Sequence, residues 1–108
     1  MPCDITHAAD LQKVSEFLKS DWKHVDILIN NSGNLVKKPF SKLKKEDFQE
    51  AYEVNVFGAA AMTQTVLPFM NTKGHVVNIS SMGGIQGSVK FPGLAAYSSS
   101  KGALITLT

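Results

Sequence analysis

The chain is expected to be an α/β protein built on a parallel sheet. Three observations lead there. Short apolar runs of strand length alternate with helix-periodic stretches, in the order strand–helix–strand–helix–strand–helix. The run Val25-Asp26-Ile27-Leu28-Ile29-Asn30 is compact and apolar, as a strand buried on both faces requires. Polar turn residues then follow the strands at their carboxyl ends, where such sheets bind ligands.

Taken in order, Met1 to Ile5 reads as the tail of a short strand ending at Asp4. Thr6 is an expected N-cap for a helix with Leu11, Val14, Phe17 and Leu18 along one face, closed by Asp21 and Trp22. The Val25–Asn30 strand leads into the turn Asn31-Ser32-Gly33-Asn34. A loop with Pro39 and Ser41 precedes a long helix from about Lys45 to Met70. Its buried face is expected at Phe48, Tyr52, Val56, Ala59, Met62, Thr63, Val66 and Met70, with Pro68 distorting the last turn. Val76-Val77-Asn78-Ile79 forms the next strand, Ser80 to Gly93 is loop-rich, and a last helix begins near Ala95.

Composition bounds the function classes. With 108 residues, 44% hydrophobic and 19% charged, the chain is expected to be a single soluble domain, 1–108. That excludes a disordered tail, a collagen-like chain and a coiled coil. No apolar run approaches the ~20 residues of a membrane span, and Met1-Pro2-Cys3-Asp4 has no signal-peptide character. The single cysteine, Cys3, forms no internal disulfide, which fits a cytoplasmic location. All eleven basic residues are lysines, and residues 54–108 contain no acid. Lys37, Lys38, Lys42, Lys44 and Lys45 precede Glu46, Asp47 and Glu50, which reads as a solvated loop entering a helix with acids in its first turn. Without arginine or a basic stripe, nucleic-acid binding is not expected. His7, His24 and His75 lie on different elements, so no metal site is expected.

Chemistry is sought at the strand ends: Asp4, Asn30 through Gly33, and Ser80 with Ser81. Tyr97 and Lys101 are spaced i, i+4 and share a helix face. A phenol is a poor base, with a reference pKa near ~10, but a neighbouring ammonium favours the phenolate. Such a pair exchanges a proton with a substrate oxygen. Ser81 would donate a hydrogen bond to that same oxygen. Asn55, in mid-helix with Gly58 one turn on, predicts a local distortion able to hold a water.

These residues together resemble the short-chain dehydrogenase/reductase family. Its Asn-Asn-Ala-Gly motif is present as Asn30-Asn31-Ser32-Gly33, with Ser32 in place of alanine. Its helix asparagine matches Asn55, its catalytic serine Ser81, and its Tyr-x-x-x-Lys the segment Tyr97-Ser98-Ser99-Ser100-Lys101. Its acidic residue after the third strand matches Asp4 in Cys3-Asp4-Ile5-Thr6. The resemblance implies a partial Rossmann-like fold, a doubly wound parallel sheet, and hydride transfer between NAD or NADP and a small-molecule carbonyl or alcohol. By the same resemblance, Tyr97 is the general acid/base, Ser81 orients the substrate oxygen, Lys101 supports the phenolate and holds the nicotinamide ribose, and Asn55 positions a water for proton delivery. Asp4, Ile5, Asn31, Ser32 and Gly33, with Tyr97 and Lys101, line the cofactor. A homo-oligomer through the long helix and the Tyr97 helix is also implied.

Within 1–108 no glycine-rich turn opens a helix where a pyrophosphate would sit. The N-terminal βαβ unit and the C-terminal strands of the family fold have no counterpart either, so the chain is expected to be a fragment. In the strand order 3-2-1-4-5-6, only the strands ending at Asn30 and Ser81 would then pair, leaving an exposed edge and a marginal core. The Ser81–Tyr97 loop, which contains Lys90, Phe91 and Pro92, is also longer than the family's commonest form. The competing expectation is a non-catalytic remnant that acts only by associating with full-length relatives.

Overall fold

A computed structural model describes residues 1–108. Helix α1 spans Ala8–Phe17 and widens into a π-helical turn at Leu18–Trp22. It stops at Lys23, whose φ of 64° is the left-handed conformation that ends many helices. Strand β1 follows at Ile27–Asn30. Helices α2 (Lys45–Tyr52) and α3 (Ala59–Val66) are joined without a break by a π-helical segment, Glu53–Gly58. A 3₁₀ turn at Leu67–Phe69, holding Pro68, tightens the end of this long helix as the proline predicts. Strand β2 (His75–Asn78), a 3₁₀ turn (Met82–Gly84) and helix α4 (Ala95–Leu107) complete the chain.

The sheet has two parallel strands, with Ile27 opposite His75 and Asn30 opposite Asn78. This is the pairing expected for the strands ending near Asn30 and Ser81. The partial doubly wound architecture is thus realised as one sheet with helices on one side. Because strand side chains alternate in direction, Leu28 and the buried Asn30 turn toward the helices. Ile27 and Ile29 are 59% and 58% exposed, and Val77 and Ile79 both 42%, so the opposite face is open. The expectation that β1 is buried on both faces is therefore corrected: its apolar composition suits two cover layers, and only one is present.

The core lies between α1, the long helix and the sheet. Leu18, Val25 and Val66 are buried there, with Val14, Phe17, Leu28, Met62, Phe69 and Met70 packed around them. The Val25 N–H donates to Phe69 O at 2.9 Å, tying the entry of β1 to the end of the long helix. Along that helix the buried positions are Asp47, Ala51, Asn55, Gly58, Ala59 and Val66. In its first half the stripe is thus one residue earlier than the apolar period predicts, because two of its members, Asp47 and Asn55, are polar.

Two expectations at the N-terminus are also corrected. Residues 1–5 form no strand, since no neighbouring strand lies beside them to share a ladder. Thr6 does not cap α1: His7 occupies that position, and the Thr6 hydroxyl donates to Asp4 Oδ1 at 2.7 Å.

Candidate active site

The site begins where β1 ends. Asn30 is buried, and its Nδ2 donates to Asn78 Oδ1 at 2.8 Å and to Thr63 Oγ1 at 3.0 Å. One amide thereby fixes the ends of both strands against α3. Beyond it Asn31 and Ser32 turn into solvent and line a cleft of about 140 Å³ with Ile5, Leu28, Ile29, Ala59 and Met62. Ile5 reaches this place because Gly58 has no side chain. A Cβ on Gly58 would sit 2.6 Å from Ile5 Cδ1 and 3.1 Å from Glu53 O.

The distortion expected at Asn55 and Gly58 is the π-helical segment itself. Asn55 is 1% exposed, and every strong hydrogen-bonding group of its amide is in use. Its Oδ1 accepts from Asn34 N–H at 2.9 Å, and its Nδ2 donates to Asn34 O at 3.0 Å and to Ser100 Oγ at 2.8 Å. The loop after β1 is therefore held to the helix by a side chain that imitates a strand partner. Gly33 lies inside this loop, and a Cβ there would stand 3.7 Å from both Asn55 Oδ1 and Lys101 Nζ.

Lys101 is buried at 4% exposure, yet it has no carboxylate partner. Its Nζ donates to Ile79 O at 2.8 Å and lies 5.8 Å from the centre of the Tyr97 ring. Desolvation holds its pKa below the usual lysine value. Of its three donors, one is spent on Ile79. Ser81 caps the 3₁₀ turn, its Oγ accepting from Gly83 N–H at 3.2 Å. That turn lies directly on α4. Ser80 Oγ donates to Lys101 O at 2.8 Å, and a Cβ on Gly84 would come within 2.6 Å of Gly102 N and Lys101 C.

The structure thus gathers the residues singled out in the sequence into two neighbouring groups. Ile5, Asn31 and Ser32 share the cleft, while Gly33, Asn55, Tyr97 and Lys101 meet around the buried amine. Ser81 is carried on the turn that rests against the Lys101 backbone. Asp4 is not drawn into either group: its Oδ1 accepts from Thr6 N–H and Oγ1, and its own N–H donates to Asp10. These Thr6 bonds, the side-chain one foremost, hold its carboxyl below the usual carboxylate range. Two participants were not foreseen, Asn34 and Ser100. Ser100 is completely buried within the Tyr97–Lys101 turn, and three small residues between two long ones could have signalled a helix surface pressed against another element.

Comparison with known proteins identifies the family and the fold. The sequence pattern of the short chain dehydrogenase family matches residues 1–108. The chain is 38% identical over 103 residues to the 7alpha-hydroxysteroid dehydrogenase of Escherichia coli, covering 94% of this chain and 39% of that protein. It is 33% identical over 107 residues to the fatty acyl-CoA reductase of Acinetobacter baylyi, covering 95% of this chain and 35% of that one. Among solved structures, a short-chain dehydrogenase from Streptomyces avermitilis superposes with a TM-score of 0.87 at 34% identity, over 99% of this chain and 39% of its own. The chain spans well under half the length of each. With the family pattern matched over the whole chain and the fold superposing on that structure, the chain belongs to the short-chain dehydrogenase family.

Proposed function

We propose that this chain carries the catalytic half of an NAD(P)-dependent oxidoreductase that interconverts a small-molecule carbonyl and the corresponding alcohol. One observation carries the reading: a buried ammonium, beside a tyrosine ring, with donors left unspent next to a bare glycine. Burying an unpaired charge costs stability, so its retention argues for use. The two unspent donors fit the hydroxyls of a ribose, and the absence of a side chain at Gly33 leaves room for one. The residues present fit the nucleotide end of such a cofactor as well, with Ile5, Asn31 and Ser32 lining the cleft.

When bound, the nicotinamide supplies or accepts the hydride. The remaining work falls to this chain's residues. In the reducing direction the Tyr97 phenol gives its proton to the carbonyl oxygen, and in the oxidising direction it takes that proton back. Ser81 donates a hydrogen bond to the same oxygen and fixes the carbonyl's direction. Lys101 steadies the phenolate electrostatically, and its single bond to Ile79 O aims the amine. Asn55 holds the loop that carries Gly33 against the catalytic helix, and would position a water that relays protons to Lys101. Self-association through the outer faces of the long helix and α4 fits the family to which the chain belongs.

The test is titration of the full chain with NADH and NADPH, followed by Tyr97→Phe. Wild-type protein is expected to bind at least one nucleotide and to reduce a model carbonyl compound. The Phe variant should keep cofactor affinity within about twofold while turnover falls by roughly a hundredfold or more. Unchanged turnover in the variant refutes the assignment of Tyr97.

A further inference from the structure

Ser100 stands between the tyrosine and the lysine and has no part in the mechanism above. It is 0% exposed, the only serine of the three in its segment to be so buried. Its hydroxyl is fully committed. Oγ donates to Tyr97 O, one turn back, at 2.7 Å and accepts from Asn55 Nδ2 at 2.8 Å. The bond to Tyr97 O has a consequence for Asn55. With its one proton aimed at that carbonyl, Ser100 can offer only a lone pair to the amide across the interface. An amide turned the other way would place Oδ1 against that lone pair and against Asn34 O. It would also face Asn34 N–H with a second N–H.

We propose that Ser100 is a positioning residue for the cofactor-side loop. Together with the Asn34 backbone it fixes the direction of the Asn55 amide and, through Asn55, ties the loop at Asn34 to α4. The chain of bonds runs Tyr97 O, Ser100 Oγ, Asn55 Nδ2 and Oδ1, Asn34 O and N–H. The first link lies within the catalytic helix, and the others carry the chain across to the π turn and on to the loop after β1. The i−3 bonding of a serine to its own helix ordinarily gains little, because the carbonyl already has a partner. Here it selects the acceptor role of the hydroxyl.

Ser100→Ala isolates this role, since alanine is the better helix former and leaves no steric conflict. One buried N–H of Asn55 then loses its acceptor. The primary measurement is amide hydrogen exchange on the full chain, with Asn34 N–H as reporter and Ile79 N–H, which donates to Asn30 O at 3.0 Å, as reference. Exchange at Asn34 should quicken about tenfold in the variant while that at Ile79 stays unchanged. Equal acceleration at both sites would mean a merely structural loss, and no acceleration at Asn34 would mean no coupling. Either outcome overturns the proposal. Ser100→Cys, which restores a weak donor and acceptor of similar size, should recover part of the protection.

The functional arm rests on the dehydrogenase reading, and it is scored separately. Ser100→Ala should weaken NADH or NADPH binding about tenfold, with turnover at saturating cofactor reduced much less. Equal losses in both would overturn the positioning role. If the unmodified chain binds neither nucleotide, the dehydrogenase reading fails and the exchange comparison decides the inference alone.

Discussion

Gly84→Ala tests whether the turn after Ser81 and helix α4 form one rigid unit. The added Cβ would lie 2.6 Å from both Gly102 N and Lys101 C, and 3.0 Å from Lys101 O. Ordinary contact begins near 3.4 Å, so turn and helix must part by about 0.8 Å. These are backbone atoms of a regular helix and cannot rotate aside as a side-chain tip would. The separation also strains two 2.8 Å bonds, Ser80 Oγ to Lys101 O and Lys101 Nζ to Ile79 O. Overpacking of this kind costs about 1–3 kcal/mol, and a weakened hydrogen bond adds about 1 kcal/mol. The variant should therefore lose about 2–4 kcal/mol in urea unfolding followed by circular dichroism, with an unchanged slope. Gly87→Ala is the control. Its φ of 80° strains any other residue, but nothing lies within 4 Å of the added atom, so the cost is backbone strain of about 1–2 kcal/mol alone. Under the proposed function, turnover should also fall with Gly84→Ala, because the turn that carries Ser81 is displaced from the helix that carries Tyr97. A Gly84→Ala variant no less stable than Gly87→Ala would refute the idea that close backbone contact sets the position of Ser81.

Two further expectations concern charge. Lys101 has its pKa lowered by desolvation, so in the window between that lowered value and 10.5 the unfolded chain binds more protons than the folded one. Stability therefore rises with pH across that window, and below it the buried charge is a constant penalty. Lys101→Met should be more stable than wild type in neutral urea titrations, with the advantage shrinking toward pH 10.5, while nucleotide affinity drops by about ten- to a hundredfold. The opposite shift acts at Asp47, whose carboxylate accepts from Lys44 N–H at 3.0 Å and from Lys38 Nζ at 2.9 and 3.1 Å. Those bonds, the Lys44 one first, hold its pKa below 3.8, so their stabilisation is complete above that pH and is lost as pH falls through the lowered value. Asp47→Asn should flatten the acid limb of a stability–pH profile, and an unaltered limb would show that the carboxylate's charge is not what anchors the loop.

Much of this was legible in the residues, for reasons that can be named. The long helix and its interruption could be read because a polar amide and a glycine sit one turn apart in an otherwise apolar period. Tyr97 and Lys101 could be placed together because helical spacing alone brings them onto one face. The strand at Met1–Ile5 could not be read correctly, since a strand is defined by a neighbour and none lies beside it. Burial on both faces of β1 failed similarly: apolar side chains state what a strand can tolerate, and the cover layer belongs to tertiary structure. Asp47 shifted the buried stripe because its carboxylate is satisfied by the Lys44 N–H and the Lys38 amine, partners that hydrophobic periodicity does not register. Ser100 escaped notice for a related reason. Serine in a helix is usually exposed, and only the partner across the interface reveals that this one is not.

The site lies where local preferences are broken. Asn55 interrupts regular helix, Lys101 buries a charge, and Gly58 and Gly84 accept the entropy cost of glycine so that other atoms can come close. None of these choices favours stability alone, but each fixes a donor or acceptor in space. Asn34, Asn55 and Ser100 lock one another, Ile79 aims Lys101, and Ser80 holds the Lys101 carbonyl. All of these bonds run between elements of this chain. These side chains are thus held in place before any ligand arrives, and under the proposed function a substrate oxygen would meet dipoles that need no rearrangement at the moment of proton transfer. Stability given up at a few positions is what makes that preorganisation possible.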